Sequence, residues 1–295
     1  MTTTVTSGRT SSHSERLAIR ASYGSLGLAC VGFLLEAISF TYFQQNFGLD
    51  TPRLAWLAGF LGAVLLTLAV TLHIDHLAYR IGRSAVTLII TGGVLASAVD
   101  LPFVVNPLLI NEPGWSNWFQ AVWATGFVAL GVGLASIAIH KEKQIERNLA
   151  QVADVGATDP ADVTVHASFL SLISAATGAI LYALGTFQQV GDPTGTRQAW
   201  VLQVLGMVLI AVGIISHIEH LGRHIGQGAV VFATLGAILF AVANLPYAID
   251  PSTTASVGWG HVCGYISGAG VLCGAIAVGL VILRKRSVDA RSATS

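Results

Sequence analysis

The sequence predicts an all-α integral membrane protein: eight transmembrane helices, arranged as two tandem, parallel four-helix repeats related by a pseudo-two-fold axis along the membrane normal. Three observations predict this class. Of 295 residues, 53% are hydrophobic and only 10% charged, whereas a soluble domain carries about 25% charged residues. Eight apolar segments approach the roughly 20 residues that a helix needs to cross a ~30 Å hydrocarbon core. The second half of the chain also repeats the first at a constant offset, as "HIDHLAYRIGRSAV" (73–86) and "HIEHLGRHIGQGAV" (217–230) illustrate.

Taken in order, residues 1–20 are rich in Ser and Thr and contain no short apolar run followed by a small-residue cleavage site, so they read as a disordered cytoplasmic tail and not a signal peptide. The apolar segments fall at about 23–43, 54–74, 85–105 and 118–139, giving a first membrane repeat over 21–143. Four more, at about 167–187, 199–217, 229–248 and 261–283, give a second repeat over 166–286, followed by a tail at 287–295. Between them, 144–165 belongs to the longest polar stretch and reads as a cytoplasmic linker. With eight crossings, Arg16, Arg20, Arg80, Arg83, Lys141, Lys143, Arg147, Arg223, Arg284, Lys285 and Arg286 share one side, against Arg53 and Arg197 on the other. The positive-inside rule then puts both termini in the cytoplasm of a multi-pass cell-membrane protein.

The repeat keeps its register over more than a hundred residues. It pairs "FQQ" at 43–45 with "FQQ" at 187–189, Arg53/Trp56 with Arg197/Trp200, "LPFVVNP" (101–107) with "LPYAIDP" (245–251), and Gly114-Trp115 with Gly258-Trp259. A four-crossing unit ends on the side where it began, so both copies insert in the same direction, as in parallel-repeat transporters. The outer pairs suit an interfacial helix-loop-helix, with proline after an apolar helix, an Asn/Asp-Pro turn and a Trp near the next helix start.

The inner pairs carry chemistry. His73 and His76, like His217 and His220, stand three apart and share one helix face if the second and sixth helices continue to Gly82 and Gly226, glycines suited to the left-handed position that closes a helix. Imidazole binds transition metals and haem iron, so four such nitrogens across the axis suit a transition metal, and one axial ligand from each half suits a haem b. Asp75 and Glu219 then act in a second shell that orients the ligands. Against this stand the plain alternative that histidine near a helix C-terminus bonds the last carbonyls and is favoured by the dipole, and a proton relay, since imidazole titrates near neutral pH.

Two intramembrane acids lack counterparts: Glu36 pairs with Ile180 and Asp100 with Asn244. Lipid exposure of an acid costs roughly 2.5–3.5 kcal/mol on insertion scales, so each marks a functional position, although "VDLP" also suits a helix exit. Glu36 and Asp100, with His261 on the same outer side, suit a proton-coupled or cation pathway. The candidate functions are therefore a haem- or metal-binding redox protein, such a transporter, and a structural or assembly subunit without a site.

Other classes are excluded by missing parts. No basic stripe for nucleic acid is present, and Lys141, Lys143 and Lys285 lie at helix ends, which leaves no retinal lysine. GxSxG, P-loop and HExxH motifs are absent. The eight-helix plan resembles haem A synthase in architecture but lacks histidines on all four even-numbered helices. "DHL" after His73 resembles the histidine-acid motif of nickel/cobalt permeases, yet Val70 stands where that motif needs a histidine. No family is assigned. Cys30, Cys263 and Cys273 lie in apolar stretches and read as small core residues, while the small-residue runs at 126–136 and 264–279 permit close helix approach. Those runs either seal the two halves together or form a contact with another membrane protein or a second copy in the bilayer.

Overall fold

The computed structural model describes residues 21–45, 52–72, 74–155, 168–192, 194–216, 222 and 225–292. Among them are eight helices long and apolar enough to cross a membrane. In chain order these are α1 (Tyr23–Gln45), α2 (Arg53–Thr71), α4 (Arg83–Val105), α5 (Pro113–Val155), α6 (Phe169–Phe187), α7 (Arg197–Ile215), α8 (Gln227–Ile249) and α9 (Val257–Ser292). A short helix, α3 (Ile74–Ile81), follows α2, and 3₁₀ turns at Pro107–Asn111 and Pro251–Ala255 precede α5 and α9. The chain is a polytopic, all-helical membrane protein.

Each crossing helix packs against its neighbours in sequence, and α9 returns to pack against α1, so the eight form a closed ring. Lipid-facing residues form stripes spaced three or four apart: Val31, Leu34, Ile38 and Tyr42 on α1, and Val231, Leu235, Ile238, Val242 and Leu245 on α8 are all exposed. This is the helical period turned outward, because the bilayer and not the core receives the largest apolar side chains.

What faces the neighbouring helices is small. On the α1–α2 seam, a Cβ on Gly32 would lie 3.0 Å from the Gly62 carbonyl, and one on Gly62 would lie 2.9 Å from the Gly32 carbonyl. Gly178 and Gly206 make the equivalent contact between α6 and α7, with gaps of 2.5 and 2.6 Å. Gly92 with Gly126 joins α4 to α5, and Gly236 with Gly270 joins α8 to α9. Because lipid supplies no hydrophobic drive between helices, such close backbone approach is the source of their association. The small-residue runs of α5 and α9 are spent inside the chain: Gly131 meets the Ala176 carbonyl of α6, and Gly268 meets Thr41 and the Ala37 carbonyl of α1.

The ring is filled. Phe40 of α1 meets Phe240 of α8 at 5.1 Å and Trp123 of α5 at 6.2 Å, and Tyr182 of α6 meets Phe127 of α5 at 4.5 Å and Phe240 at 6.4 Å. Several of these contacts join helices that are not neighbours in the ring, so the aromatic side chains cross its interior.

Both ends of the bundle are tied by the same devices in each half. Arg53 donates to the Val105 carbonyl at 2.7 Å and Arg197 to the Ala248 carbonyl at 3.2 Å, placing positive charge at the C-terminal ends of α4 and α8. Asn106 and Asp250 cap the following 3₁₀ turns through Leu108 and Ser252 amides. Bonds from Ser252 hold the exposed Asp250 carboxyl below the usual carboxylate range. Trp56 packs on Phe103 and Trp200 on Tyr247 in tilted contacts, with centroids 4.6 and 4.7 Å apart. Ser25 and Ser171 bond across to Ala69 and Gly213 at the opposite end.

Three sequence expectations are corrected. The second and sixth crossings do not continue to Gly82 and Gly226: α2 stops at Thr71, with Leu72 as cap, and α7 stops at Ile215, with Ser216 as cap. Gly82 and Gly226 do take positive φ, 93° and 98°, but with ψ of 143° and 138° they start α4 and α8 rather than close a helix in the left-handed form. The polar stretch after Lys143 begins as helix, because α5 runs unbroken to Val155. Its charged residues have good helix propensity, which outlasts the apolar stretch. The three cysteines are free, and Cys263 and Cys273 are buried, in keeping with core packing.

Candidate functional site

The buried acids converge. Glu36 sits in the middle of α1 and Asp100 five residues before the end of α4, and both press against one face of α2, which lies between those helices in the ring. A Cβ on Gly62 would lie 2.9 Å from Glu36 Cγ, and one on Gly59 would lie 2.6 Å from both Asp100 Oδ2 and Ser39 Oγ. Gly59 and Gly62 are three apart and share a helix face. Two glycines in succession therefore leave the space that the acidic side chains fill.

The two acids are buried close enough to influence each other. Asp100 is 8% exposed, Ser39 is 9% exposed and Glu36 is partly buried. The charge of Asp100 acts on Glu36, and neither carboxyl has a basic partner among the described residues. Asp100 is not a helix-exit cap, as "VDLP" allowed, because α4 continues through Pro102 to Val105. Asn106 takes that capping role, donating its amide to the Pro102 carbonyl.

The corresponding region of the second half is built differently. Gln203 stands where Gly59 stands in the first half, and its amide donates to Gln189 Oε1 at 3.0 Å and Thr186 Oγ1 at 3.4 Å. Asn244, opposite Asp100 in the repeat, donates to the Phe240 carbonyl of its own helix at 3.2 Å. One half thus closes its buried polar layer with neutral amides, while the other holds two acids over glycine.

The remaining expected positions separate from this site. His261 is exposed near the start of α9 and is not among the groups acting on either acid. His73, His217, Glu219 and His220 lie outside the described residues; Asp75 and His76 belong to α3, but their side chains lie outside the described part. Among the described residues, no three His, Cys, Asp or Glu side chains gather as metal ligands.

Sequence reasoning passed over Ser39, Gly59 and Gly62, since a serine and two glycines in apolar helices carry no signal until their neighbours are known. It also passed over His140, whose Nδ1 lies 3.3 Å from where a Cβ of Gly82 would stand. The signal was present there: Arg284, at the same place in the second half, packs on Gly226 at 3.6 Å.

The fold and this site define a polytopic membrane protein with an intramembrane acid pair. Compared with known protein families, with curated proteins and with solved structures, the chain finds no match in any of the three.

Proposed function

We propose that the protein is an ion-coupled membrane transporter in which Glu36 and Asp100 form one ion-accepting site between α1, α2 and α4. The observation that carries this reading is the convergence of two carboxyls from different helices on Gly59 and Gly62, at membrane depth and without a basic partner. An intramembrane acid is costly and, where it faces the bundle interior, belongs to ion and proton pathways. The site lies within the first of two tandem parallel repeats related by a pseudo-two-fold axis. Supporting that arrangement, α2 and α7, and α4 and α8, begin and end at the same places in the two copies. The site belongs to one copy only, so the repeats divide the work: the amide-closed half serves as the rigid partner and the acidic half carries the ion. The positive-inside count orients the chain in the cell membrane with both ends cytoplasmic.

The test is proton flux in liposomes carrying the purified protein and an entrapped pH-sensitive dye, under an imposed pH gradient and membrane potential. Glu36→Gln and Asp100→Asn should each abolish protein-dependent flux while leaving yield and thermal stability unchanged. Full flux in the double variant rejects the reading and favours a structural or assembly subunit.

A second reading concerns the inner layer at the other end of the bundle. His73, His76, His217 and His220, with Asp75 and Glu219 behind them, would hold a haem b or a transition metal between the copies. Its support is the matched ends of α2 and α7 and the matched positive-φ glycines that bracket both segments.

A further inference from the structure

We propose that the ion exchanged at Glu36 and Asp100 is the proton, and that Ser39 relays it between the two carboxyls. The inference rests on the transporter reading for its physiological meaning, but its chemistry can be tested without transport.

The observation is an unused hydroxyl. Serine and threonine within these helices bond back to the carbonyl four residues earlier: Thr41 to Ala37, Thr67 to Ala63 and Ser97 to Gly93, all at 2.7–2.9 Å. Ser39 makes no hydrogen bond among the described residues, although it is 9% exposed. Its Oγ lies 2.6 Å from where a Cβ of Gly59 would stand, as Asp100 Oδ2 does. Ser39 is also three residues from Glu36, on the same face of α1. The hydroxyl, the acid of its own helix and the acid of α4 therefore all face the same stretch of α2.

A hydroxyl donates one proton and accepts others. When Glu36 is protonated and Asp100 is not, the O–H bond of Glu36 breaks as a new O–H forms on Ser39 Oγ. The original Ser39 O–H breaks as one forms on Asp100 Oδ2. One proton has moved from Glu36 to Asp100, serine is regenerated, and no electrons have changed hands.

Packing favours a proton over a metal cation. Hard cations take about six or more oxygens when fully dehydrated, and here the supply is two carboxyls and one hydroxyl. The backbone carbonyls of α2 at this level are committed to the helix. The charges on the neighbouring helices lie toward the helix ends. On α2 only Arg53, at the helix end, is titratable, and it is bonded to Val105. From α9, which packs on α1, come His261, Cys263, Tyr265 and Cys273, with Arg284, Lys285, Arg286, Asp289 and Arg291 gathered toward its C-terminal end. The stretch of α5 before His140 offers no titratable group.

The experiment uses dicyclohexylcarbodiimide, which adds to protonated carboxyls in apolar surroundings, on the purified full chain with labelled sites read by mass spectrometry. The expected result is labelling at Glu36 or Asp100 that declines as pH rises and is unaffected by excess Na⁺ or K⁺. Protection by either cation, or no labelling of either acid at low pH, overturns the proton assignment. Ser39→Ala is structurally mild, because Ala183 stands at the equivalent place in the second half. It should keep the labelling and lower proton flux about 10²-fold, the low end for a positioned proton-transfer group, with Ser39→Thr restoring it. Unchanged flux in Ser39→Ala overturns the relay. Labelling as expected without flux in the parent protein overturns the transporter reading alone.

Discussion

Gly206→Ala should loosen the seam between α6 and α7 by an amount the geometry sets. The added Cβ would lie 2.6 Å from the Gly178 carbonyl oxygen, 2.7 Å from the Tyr182 amide nitrogen and 3.0 Å from Tyr182 Cβ. Ordinary contact for such a carbon begins near 3.4 Å, so the helices must part by about 0.8 Å. No rotamer change can relieve this, since the nearest atoms are backbone. Separation also pulls on Ser171 and Ser174, whose hydroxyls reach the Gly213 and Leu209 carbonyls of α7 at 2.6 and 2.8 Å. Overpacking of a tight contact costs typically about 1–3 kcal/mol, and the upper part of that range is expected here. The assay is thermal unfolding of the purified protein in detergent, with Gly59→Ala as comparison. At Gly59 the atoms in the way are the ends of two side chains, Asp100 Oδ2 and Ser39 Oγ, which can swing aside. Gly206→Ala should therefore lower the Tm clearly and Gly59→Ala much less. Equal Tm values for Gly206→Ala and the parent would refute the argument that glycine contacts set the helix spacing.

Two other predictions address the ends of the bundle. Arg197→Ala removes the guanidinium from the Ala248 carbonyl and should cost about 1 kcal/mol, as should Arg53→Ala at Val105, with the two losses additive across separate helix ends in thermal unfolding. If the repeated histidines share one haem or metal ion, His76→Ala and His220→Ala should each remove as much visible absorbance or bound metal as the double variant; small additive stability losses in a protein without cofactor would reject the shared site.

How much of this was legible depends on whether the information was local. The eight crossings followed from apolar run length, whereas Gly82 and Gly226, which suit the end of a helix by sequence, instead precede the starts of α4 at Arg83 and α8 at Gln227. The breaks after Thr71 and Ile215 were not legible, because the apolar run and the polar segment beyond it are both compatible with helix. Nor was the helical extension of α5 to Val155, where charge density suggested a linker although helix propensity was high. Both acids were visible as charges in an apolar background, and placing them at similar depth was correct arithmetic along the helices. Their meeting was not visible: it depends on α2 lying between α1 and α4 and on glycine at two positions of its face. The neutral counterpart in the second half was also hidden, since Gln203, Gln189 and Thr186 become one network only when α6 and α7 pack together.

The closure of α9 on α1 gives the helix order no privileged starting point. Tyr23, at the start of α1, donates to Asp289 near the end of α9 at 2.8 Å, and Lys285 lies over its ring. The two ends of the ring are thus adjacent on one edge of the bundle. A short bridge joining them, with new ends opened between α5 and α6, would yield a chain reading α6 to α9 and then α1 to α5, every helix still beside the neighbours it has now. In such a permuted protein the acidic half would be synthesised last instead of first, so the order in which the two halves enter the bilayer is separable from the structure they reach.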